Sequence, residues 1–185
     1  MQRESSSSSF PIGSKMPEFL LPSTDGKVVA PPFFAGARAA LVVFTCNHCP
    51  YVKGSDQMLL KILKKYSDSD LKTVAISAND ALEYPEDSFE LMKAKVAELQ
   101  LPFPYLYDES QEVARKFDAA CTPELFLFNS KLELCFHGTI NDSPRDPSQV
   151  KQDYLSRAID QVLAGSSCEP SYVHPIGCSI KWAHR

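Results

Sequence analysis

The chain has 185 residues, of which 44% are hydrophobic and 23% are charged, and its formal net charge is −4 at pH 7. These values are ordinary for one globular domain with a substantial core. A chain with net negative charge lacks the basic surface typical of nucleic-acid binding, and its longest uncharged apolar stretch is too short to span a bilayer. We therefore expect a protein that binds neither nucleic acid nor membrane.

The two ends of the chain differ from its middle. Five consecutive serines occupy positions 5–9, and no apolar segment of the kind that directs secretion lies near them. We expect residues 1–10 to form a disordered tail, residues 11–165 a folded domain, and residues 166–185 a C-terminal tail packed on it. A serine-rich start also occurs in organelle transit peptides, but Glu4 argues against one. A cytoplasmic, reducing compartment is therefore expected.

Strands and helices are predicted to alternate along most of the chain. Asp25-Gly26 between short apolar runs predicts a β-hairpin within residues 10–29. The apolar run Ala39–Phe44 predicts a central strand buried on both faces. The other strands are predicted at 71–78, 103–107, 124–129 and 132–138, and the helices at 50–66, 85–99, 111–117 and 148–164. Asn79-Asp80 follows one strand, at the edge where functional loops of α/β sheets usually lie.

Cys46 and Cys49 lie three positions apart, between the strand at 39–44 and the following helix. At a helix start, unpaired backbone N–H groups and the helix dipole stabilise a thiolate. A second thiol one turn further can resolve the mixed disulfide that the first one forms. The spacing therefore predicts a redox-active dithiol. The alternatives are two packing thiols or part of a zinc site, although no second Cys or His pair completes four ligands.

The element order predicts an α/β fold in which helices flank a central mixed sheet, because alternating strands and helices are followed by a hairpin and a last helix. Together with the Cys-x-x-Cys pair and Thr122-Pro123 before a later strand, this order resembles the thioredoxin fold. The resemblance implies a cis peptide bond before Pro123, which faces the dithiol. It also implies that the Thr122 backbone lines the substrate groove. The N-terminal hairpin and the C-terminal tail are extensions of that fold.

Five longer segments make the resemblance specific to one group of thioredoxin-fold proteins. They are FTCNHCPYVK at 44–53, YPEDSFELMK at 84–93, LPFPYLYDESQEVARKF at 101–117, CTPELFLF at 121–128 and PIGCSIKW at 175–182. Together they resemble the peroxiredoxin-like proteins of the AhpC/TSA redoxin superfamily, over roughly residues 12–183. This resemblance implies thiol-disulfide or antioxidant chemistry that uses no metal or organic cofactor.

By analogy with thioredoxin, Cys46 is expected to be the exposed nucleophile that attacks a substrate disulfide. Cys49, more buried, then resolves the mixed disulfide. His48 is expected to help stabilise the Cys46 thiolate, and its alternative role is that of a polar loop residue. The expected catalytic set is Cys46, His48, Cys49, Thr122 and Pro123. The expected partners are a protein disulfide as substrate and a thioredoxin, glutaredoxin or small thiol as electron donor.

A thiol-dependent peroxidase is the second hypothesis. Peroxiredoxins carry their peroxidatic cysteine in a Pro-x-x-x-Thr-x-x-Cys motif, which puts Cys49 in the peroxidatic position and Pro50 after it. Cys46 then replaces the threonine and Val42 replaces the proline, and a cysteine positions a peroxide less well than a hydroxyl does. A third hypothesis is a non-catalytic thioredoxin-like binding domain, against which the intact Cys-x-x-Cys pair argues.

The four other cysteines are Cys121, Cys135, Cys168 and Cys178. Cys121 is expected to point away from Cys46, because side chains alternate along extended chain. Cys178 is either an accessory redox thiol, if the tail folds over the dithiol, or a packing residue that anchors the tail, and packing is the favoured interpretation. Glu86-Asp87 is most simply interpreted as solvated surface.

Overall fold

The computed structural model describes residues 10–184, so most of the expected N-terminal tail lies outside the described residues. Phe10, which was assigned to that tail, packs against the core. Its ring centroid lies 5.8 Å from that of Phe117, 6.0 Å from that of Phe126 and 6.3 Å from that of Phe128. The folded part therefore includes Phe10. Within the described residues, no helix combines the length and the apolar character that crossing a bilayer requires.

Residues 10–184 contain nine β-strands, most of them short, and four α-helices. The strands are β1 (Leu21–Pro22), β2 (Val28–Val29), β3 (Ala39–Phe44), β4 (Leu71–Ser77), β5 (Tyr105–Tyr107), β6 (Cys121–Thr122), β7 (Glu124–Asn129), β8 (Leu134–Gly138) and β9 (Cys178–Ser179). The helices are α1 (Pro50–Leu63), α2 (Phe89–Leu99), α3 (Glu112–Lys116) and α4 (Tyr154–Leu163). Single 3₁₀ turns occupy Pro31–Phe34, Pro85–Asp87 and Pro147–Gln149. β1 and β2 pair antiparallel, so the predicted N-terminal hairpin is confirmed.

Two helices begin several residues later than their apolar spacing predicted. α2 begins at Phe89 rather than at residue 85, because Ser88 is extended with ψ 153° and separates the helix from the preceding 3₁₀ turn. α4 begins at Tyr154 rather than at residue 148. Asp153 caps it by accepting a hydrogen bond from the Ser156 backbone N–H at 3.0 Å. In both cases a polar residue inside the predicted span marks the true helix start.

The central sheet is mixed, as predicted, with the strand order β5-β4-β3-β7-β8. β3 runs parallel to β4 and antiparallel to β7. Phe44, the last residue of β3, is therefore paired with Ile76 on one side and with Glu124 on the other. The end of β3, the end of β4 and the start of β7 meet at one edge of the sheet. The loops that follow or precede these strand ends are consequently brought together there.

Both faces of the sheet are buried, which the continuous apolar run of β3 predicted. Leu41 belongs to the cluster that packs against α1 and α4, whereas its neighbour Val42 belongs to the cluster on the opposite face. That opposite face is covered by α3 and by the N-terminal segment that contains Phe19 and Phe34. Because successive side chains of β3 point to opposite faces of the sheet, this one strand contributes to both apolar layers.

Phe126 lies in the centre of the layer beneath α3, and we expect its truncation to be strongly destabilising. Its side chain is completely buried, with ring centroids of Phe117 and Phe44 at 5.3 and 5.8 Å. Phe126→Ala should lower the free energy of unfolding by about 3–5 kcal/mol, because it leaves a cavity. Chemical denaturation measures this change. Leu82→Ala is the control: Leu82 is 76% exposed, and its truncation should cost under about 0.5 kcal/mol. Equal losses would contradict the packing.

Candidate active site

The dithiol lies between the end of β3 and the start of α1. Cys49 is the N-cap residue of α1, with φ −62° and ψ 127°, and Pro50 takes the first helical position. A proline fits there because the missing N–H would have no partner within the helix. Cys46 lies in the short loop before it, and both cysteines are free thiols. The predicted placement at a strand–helix junction is confirmed.

Thr122 contacts both sulfurs. Its Oγ1 lies 3.4 Å from Cys46 Sγ, and its carbonyl oxygen lies 3.3 Å from Cys49 Sγ, within hydrogen-bond distance of a Cys49 thiol. The Thr122–Pro123 peptide bond is cis, as the resemblance implied. The structure therefore brings the strand–helix loop and the Thr-Pro segment into direct contact.

The expected exposure of Cys46 is wrong. Cys46 and Cys49 are both 0% exposed, so the expected contrast between an exposed and a buried thiol does not hold. Tyr51 and Cys178 pack against the pair. The burial arises partly from the C-terminal tail, whose position the local sequence around the dithiol does not reveal.

The tail also pairs with the backbone before Pro123. β6 and β9 run antiparallel, and Thr122 lies directly opposite Cys178. The Thr122 backbone, which the resemblance assigned to the substrate groove, is thus paired with the chain's own tail. Cross-strand partners share a face of the ladder. The Cys178 side chain therefore lies on the same face as Thr122 Oγ1, towards the dithiol.

Asp87 holds the loop between the two cysteines, and its assignment to solvated surface is wrong. The carboxyl group is completely buried. Its Oδ1 accepts hydrogen bonds from the backbone N–H groups of Asn47 at 2.7 Å and His48 at 3.2 Å, and its Oδ2 accepts one from Asn79 Nδ2 at 2.8 Å. His48 Nδ1 lies 2.5 Å from the same Oδ2. The sequence signal that pointed to this network is Asn79, at the carboxyl end of β4.

His48 forms the solvent side of the site. Its side chain is 24% exposed, and its ring stacks on Tyr84. One ring nitrogen, one Asp87 carboxyl oxygen and Cys46 Sγ all lie within 4.8 Å of one another. The imidazole therefore lies close to Cys46, and its expected role in stabilising a Cys46 thiolate stays a prediction.

The same three side chains could offer ligands to a metal ion. Cys46, His48 and Asp87 each supply one suitable atom. However, the Asp87 carboxyl group already accepts hydrogen bonds from Asn79 and from the loop backbone, and it contacts His48 Nδ1. A cation would have to replace these bonds, and a structural zinc site needs a fourth ligand. The arrangement fits a hydrogen-bond network better than a metal centre.

Lys95 and Asp56 form a largely buried ion pair behind the dithiol, which the sequence did not reveal. Lys95 Nζ, from α2, donates a hydrogen bond to the Cys46 carbonyl oxygen at 3.0 Å and lies 2.9 Å from Asp56 Oδ2 of α1. Burial raises the pKa of Asp56, and the Lys95 ammonium opposes that rise. The pair ties α1 and α2 to the backbone of Cys46.

Glu124 holds the segment before Pro123. Its Oε2 accepts hydrogen bonds from the backbone N–H groups of Ala120 at 2.7 Å and Cys121 at 3.0 Å, and its Oε1 lies 2.6 Å from His137 Nε2. Cys121 lines a cavity of about 540 Å³ together with Glu124 and His137, and the dithiol does not line this cavity. Cys121 therefore points away from Cys46, as predicted.

Comparison with known proteins agrees with this geometry. The sequence model of the Redoxin family matches residues 11–154. The chain belongs to the Redoxin family. Two bacterial structures are similar over nearly the whole chain. An uncharacterized conserved protein from Geobacillus kaustophilus is 41% identical, with a TM-score of 0.89, over 95% of this chain and 94% of that one. A hypothetical protein from Sinorhizobium meliloti is 36% identical, with a TM-score of 0.89, over 96% and 98%.

A more distant structure has a similar fold. The thioredoxin domain of a thiol-disulfide oxidoreductase from Bacteroides vulgatus is 19% identical, with a TM-score of 0.58, over 68% of this chain and 86% of that one. At this identity the likeness concerns the fold alone. It confirms the predicted thioredoxin-like architecture. Among proteins with curated descriptions, none matches the sequence.

In this redoxin, the surroundings of Cys49 lower its pKa to about 4. The largest cause is the hydrogen bond that Cys46 donates to it. Burial opposes the shift, whereas hydrogen bonds from Cys178 and from the Val52 backbone N–H, in the first turn of α1, add to it. The contact with the Thr122 carbonyl oxygen favours the protonated thiol, but the donors outnumber this single acceptor. The direction of the shift favours the negative charge on Cys49.

The pKa of Cys46 moves in the opposite direction. It is raised because its thiol donates a hydrogen bond to Cys49, because it is buried, and because the Asp87 carboxylate repels a second negative charge. The hydrogen bond between the two sulfurs thus lowers the pKa of Cys49 and raises that of Cys46. These directions favour the thiolate on Cys49, whereas the expected order placed it on Cys46, and the order of attack belongs to the proposed function.

Removal of the Cys178 thiol should raise the pKa of Cys49. Cys178→Ala deletes one donor to the thiolate, and a hydrogen bond to a charged group of this kind corresponds to roughly one pKa unit. The pH dependence of Cys49 alkylation, resolved by mass spectrometry, measures the shift. Cys168→Ala is the control, because the Cys168 thiol donates to the Ala158 carbonyl oxygen, away from the dithiol. An unchanged midpoint in Cys178→Ala would show that the two thiols do not interact.

Proposed function

We propose that this redoxin is a thiol-disulfide oxidoreductase whose redox couple is Cys46 and Cys49. The main support for the proposal is that both sulfurs lie at the start of α1 and that both contact Thr122 of β6. A thiolate at a helix N-terminus beside a second thiol is the arrangement that thiol–disulfide exchange requires. Membership of the Redoxin family supports redox chemistry in general terms.

The exchange takes two steps. The Cys49 thiolate attacks one sulfur of the substrate disulfide, a new S–S bond forms, and the other substrate sulfur leaves as a thiolate. Cys46 then gives up its proton and attacks Cys49 Sγ, which forms the Cys46–Cys49 disulfide and releases the second substrate thiolate. Two electrons pass to the substrate. His48, with a ring nitrogen within 4.8 Å of Cys46 Sγ, is placed to take the Cys46 proton.

The proposed substrate is a protein disulfide, and the proposed electron donor is a thioredoxin, a glutaredoxin or a small thiol, in the cytoplasm. Because both sulfurs are buried, the tail segment around Cys178 has to move before a protein disulfide reaches Cys49. A cavity of about 460 Å³ between α1 and α2, lined by Asn47 and His48, lies beside the dithiol. The walls of this cavity provide a surface to which a substrate can bind next to the dithiol.

Reduction of insulin disulfides in the presence of dithiothreitol tests the proposal. Cys49→Ser removes the attacking thiolate and Cys46→Ser removes the resolving thiol. We therefore expect both rates to fall to that of dithiothreitol alone. Without dithiothreitol, Cys46→Ser combined with Cys178→Ala should accumulate a mixed disulfide with insulin through Cys49, seen as an increase in mass, because no neighbouring thiol is left to resolve it. Cys135→Ser is the control, since this half-buried thiol of β8 lies outside the dithiol cluster. Wild-type rates in both dithiol variants would refute the proposed couple.

The low pKa of Cys49 also supports a second function, that of a thiol-dependent peroxidase. The Cys49 thiolate would attack one oxygen of a hydroperoxide, forming a sulfenic acid and releasing water or an alcohol after protonation. Cys46 would then condense with the sulfenic acid, releasing water and forming the same disulfide. A peroxide is small, so it needs less opening of the tail than a protein disulfide does.

Peroxide consumption separates the two functions. A peroxidase should consume hydrogen peroxide in a reaction that requires Cys49 but survives Cys46→Ser, because dithiothreitol can reduce the sulfenic acid directly. Insulin reduction, in contrast, should require both cysteines. If wild-type protein consumed peroxide no faster than Cys49→Ser, the peroxidase function would be excluded.

A further inference from the structure

Strand β9 brings a third thiol to the dithiol. Cys178 lies opposite Thr122 in the β6–β9 ladder, and it packs against Cys46 and Cys49. Cross-strand partners have Cβ atoms about 4.5–5.5 Å apart on one face, and the Thr122 side chain on that face is 3.4 Å from Cys46 Sγ. Cys178 is half-buried, whereas the dithiol is completely buried. Cys178 therefore lies between solvent and the two buried sulfurs.

The tail is fixed on both sides of Cys178. Before it, the Val173 backbone N–H donates to the His137 carbonyl oxygen at 3.0 Å. After it, the Ile180 backbone N–H donates to the Ala120 carbonyl oxygen at 2.9 Å, and the Ile180 side chain is buried in the core. Cys178 is thus held at the dithiol by the fold and does not sit on a loose end.

We propose that Cys178 is a third redox-active thiol, which carries electrons between solvent and the buried Cys46–Cys49 pair by forming a disulfide with Cys49. The proposal rests on the proposed function, because it needs a dithiol that cycles to a disulfide. In the oxidised protein, the Cys178 thiolate attacks Cys49 Sγ. The Cys49–Cys178 bond forms, the Cys46–Cys49 bond breaks, and Cys46 leaves as a thiolate that takes up a proton. The disulfide moves within the chain, and no electrons are gained or lost.

In the resulting Cys49–Cys178 disulfide, the half-buried Cys178 sulfur is the one that a small thiol can reach. The thiolate of that small thiol attacks Cys178 Sγ, forms a mixed disulfide there, and displaces Cys49 as a thiolate. The donors around Cys49 make it a good leaving group, because thiols of low pKa leave faster. A second small thiol then attacks the mixed disulfide and releases Cys178. Two small thiols are oxidised to one disulfide, and the protein is reduced by two electrons.

Disulfide mapping of the full chain tests this relay. Trypsin leaves Cys46 and Cys49 together in residues 39–53, and Cys178 in residues 158–181 with Cys168. Protein carrying Cys168→Ala is oxidised with glutathione disulfide, alkylated and digested. In the further variant Cys46→Ser we expect the two peptides to be joined through Cys49 and Cys178. If they stay separate, alkylated or bound to glutathione, the relay is overturned.

Reduction kinetics provide a second readout. Oxidised Cys178→Ala should be reduced by glutathione at least about tenfold more slowly than oxidised wild type, because the buried disulfide loses its half-exposed attack site. Cys168→Ala is the matched control and should keep the wild-type rate. Equal rates for Cys178→Ala and wild type would overturn the relay.

Gly177→Ala tests the role of β9 while it leaves both Cys49 and Cys178 in place. An alanine Cβ at this position would lie 2.1 Å from the Thr122 carbonyl oxygen, so β9 has to shift away. We expect the Cys49–Cys178 link, measured in the Cys46→Ser background, to fall roughly tenfold, since disulfides tolerate little displacement. An unchanged yield would overturn the proposed geometry. Failure of the proposed function looks different, because wild-type protein would then form no Cys46–Cys49 disulfide and reduce no insulin.

Discussion

The candidate site depends on the position of one residue, Thr122. Its hydroxyl contacts Cys46, its carbonyl oxygen contacts Cys49, and its backbone pairs with Cys178. The register of the central sheet places it there, because Phe44 at the end of β3 is paired with Glu124 at the start of β7. A shift of one residue in this register would turn the Thr122 side chain to the opposite face. The register between two central strands therefore determines which side chain meets the sulfurs.

Two buried carboxyl groups stabilise the loops on either side of the sulfurs. Asp87 accepts hydrogen bonds from two successive backbone N–H groups within the Cys-x-x-Cys loop, and Glu124 does the same for two successive groups before Thr122. Each carboxyl group also contacts a histidine, His48 in one case and His137 in the other. Hydrogen bonds from two successive N–H groups to one buried carboxyl group restrict the backbone of each loop. The two carboxyl groups thus position the sulfurs through the backbone of both loops.

Features that are local in sequence could be predicted, and features that join distant segments could not. The apolar run of β3, the helix after Pro50 and the Thr122-Pro123 landmark each follow from a few neighbouring residues, and the structure has all three. The contact between Asp87 and Asn47 joins residues 40 positions apart. A single acidic residue has no periodicity that would distinguish this role from a solvated one. β9 has only two residues, which is too short for a pattern. The burial of Cys46 was missed for the same reason, because it depends on where the tail packs.

Burial of the dithiol and its reactivity are connected through Cys178. A buried thiolate is costly unless donors surround it, and Cys178 both donates to Cys49 and covers it. The hydrogen bond from Cys178 lowers the pKa of Cys49, whereas the burial to which the same segment contributes raises that pKa. The tail therefore has two opposing effects on the charge of Cys49. The segment that shields the dithiol from solvent also supplies one of the donors that a buried thiolate needs, so access to the sulfur and its electrostatic stabilisation depend on the same few residues.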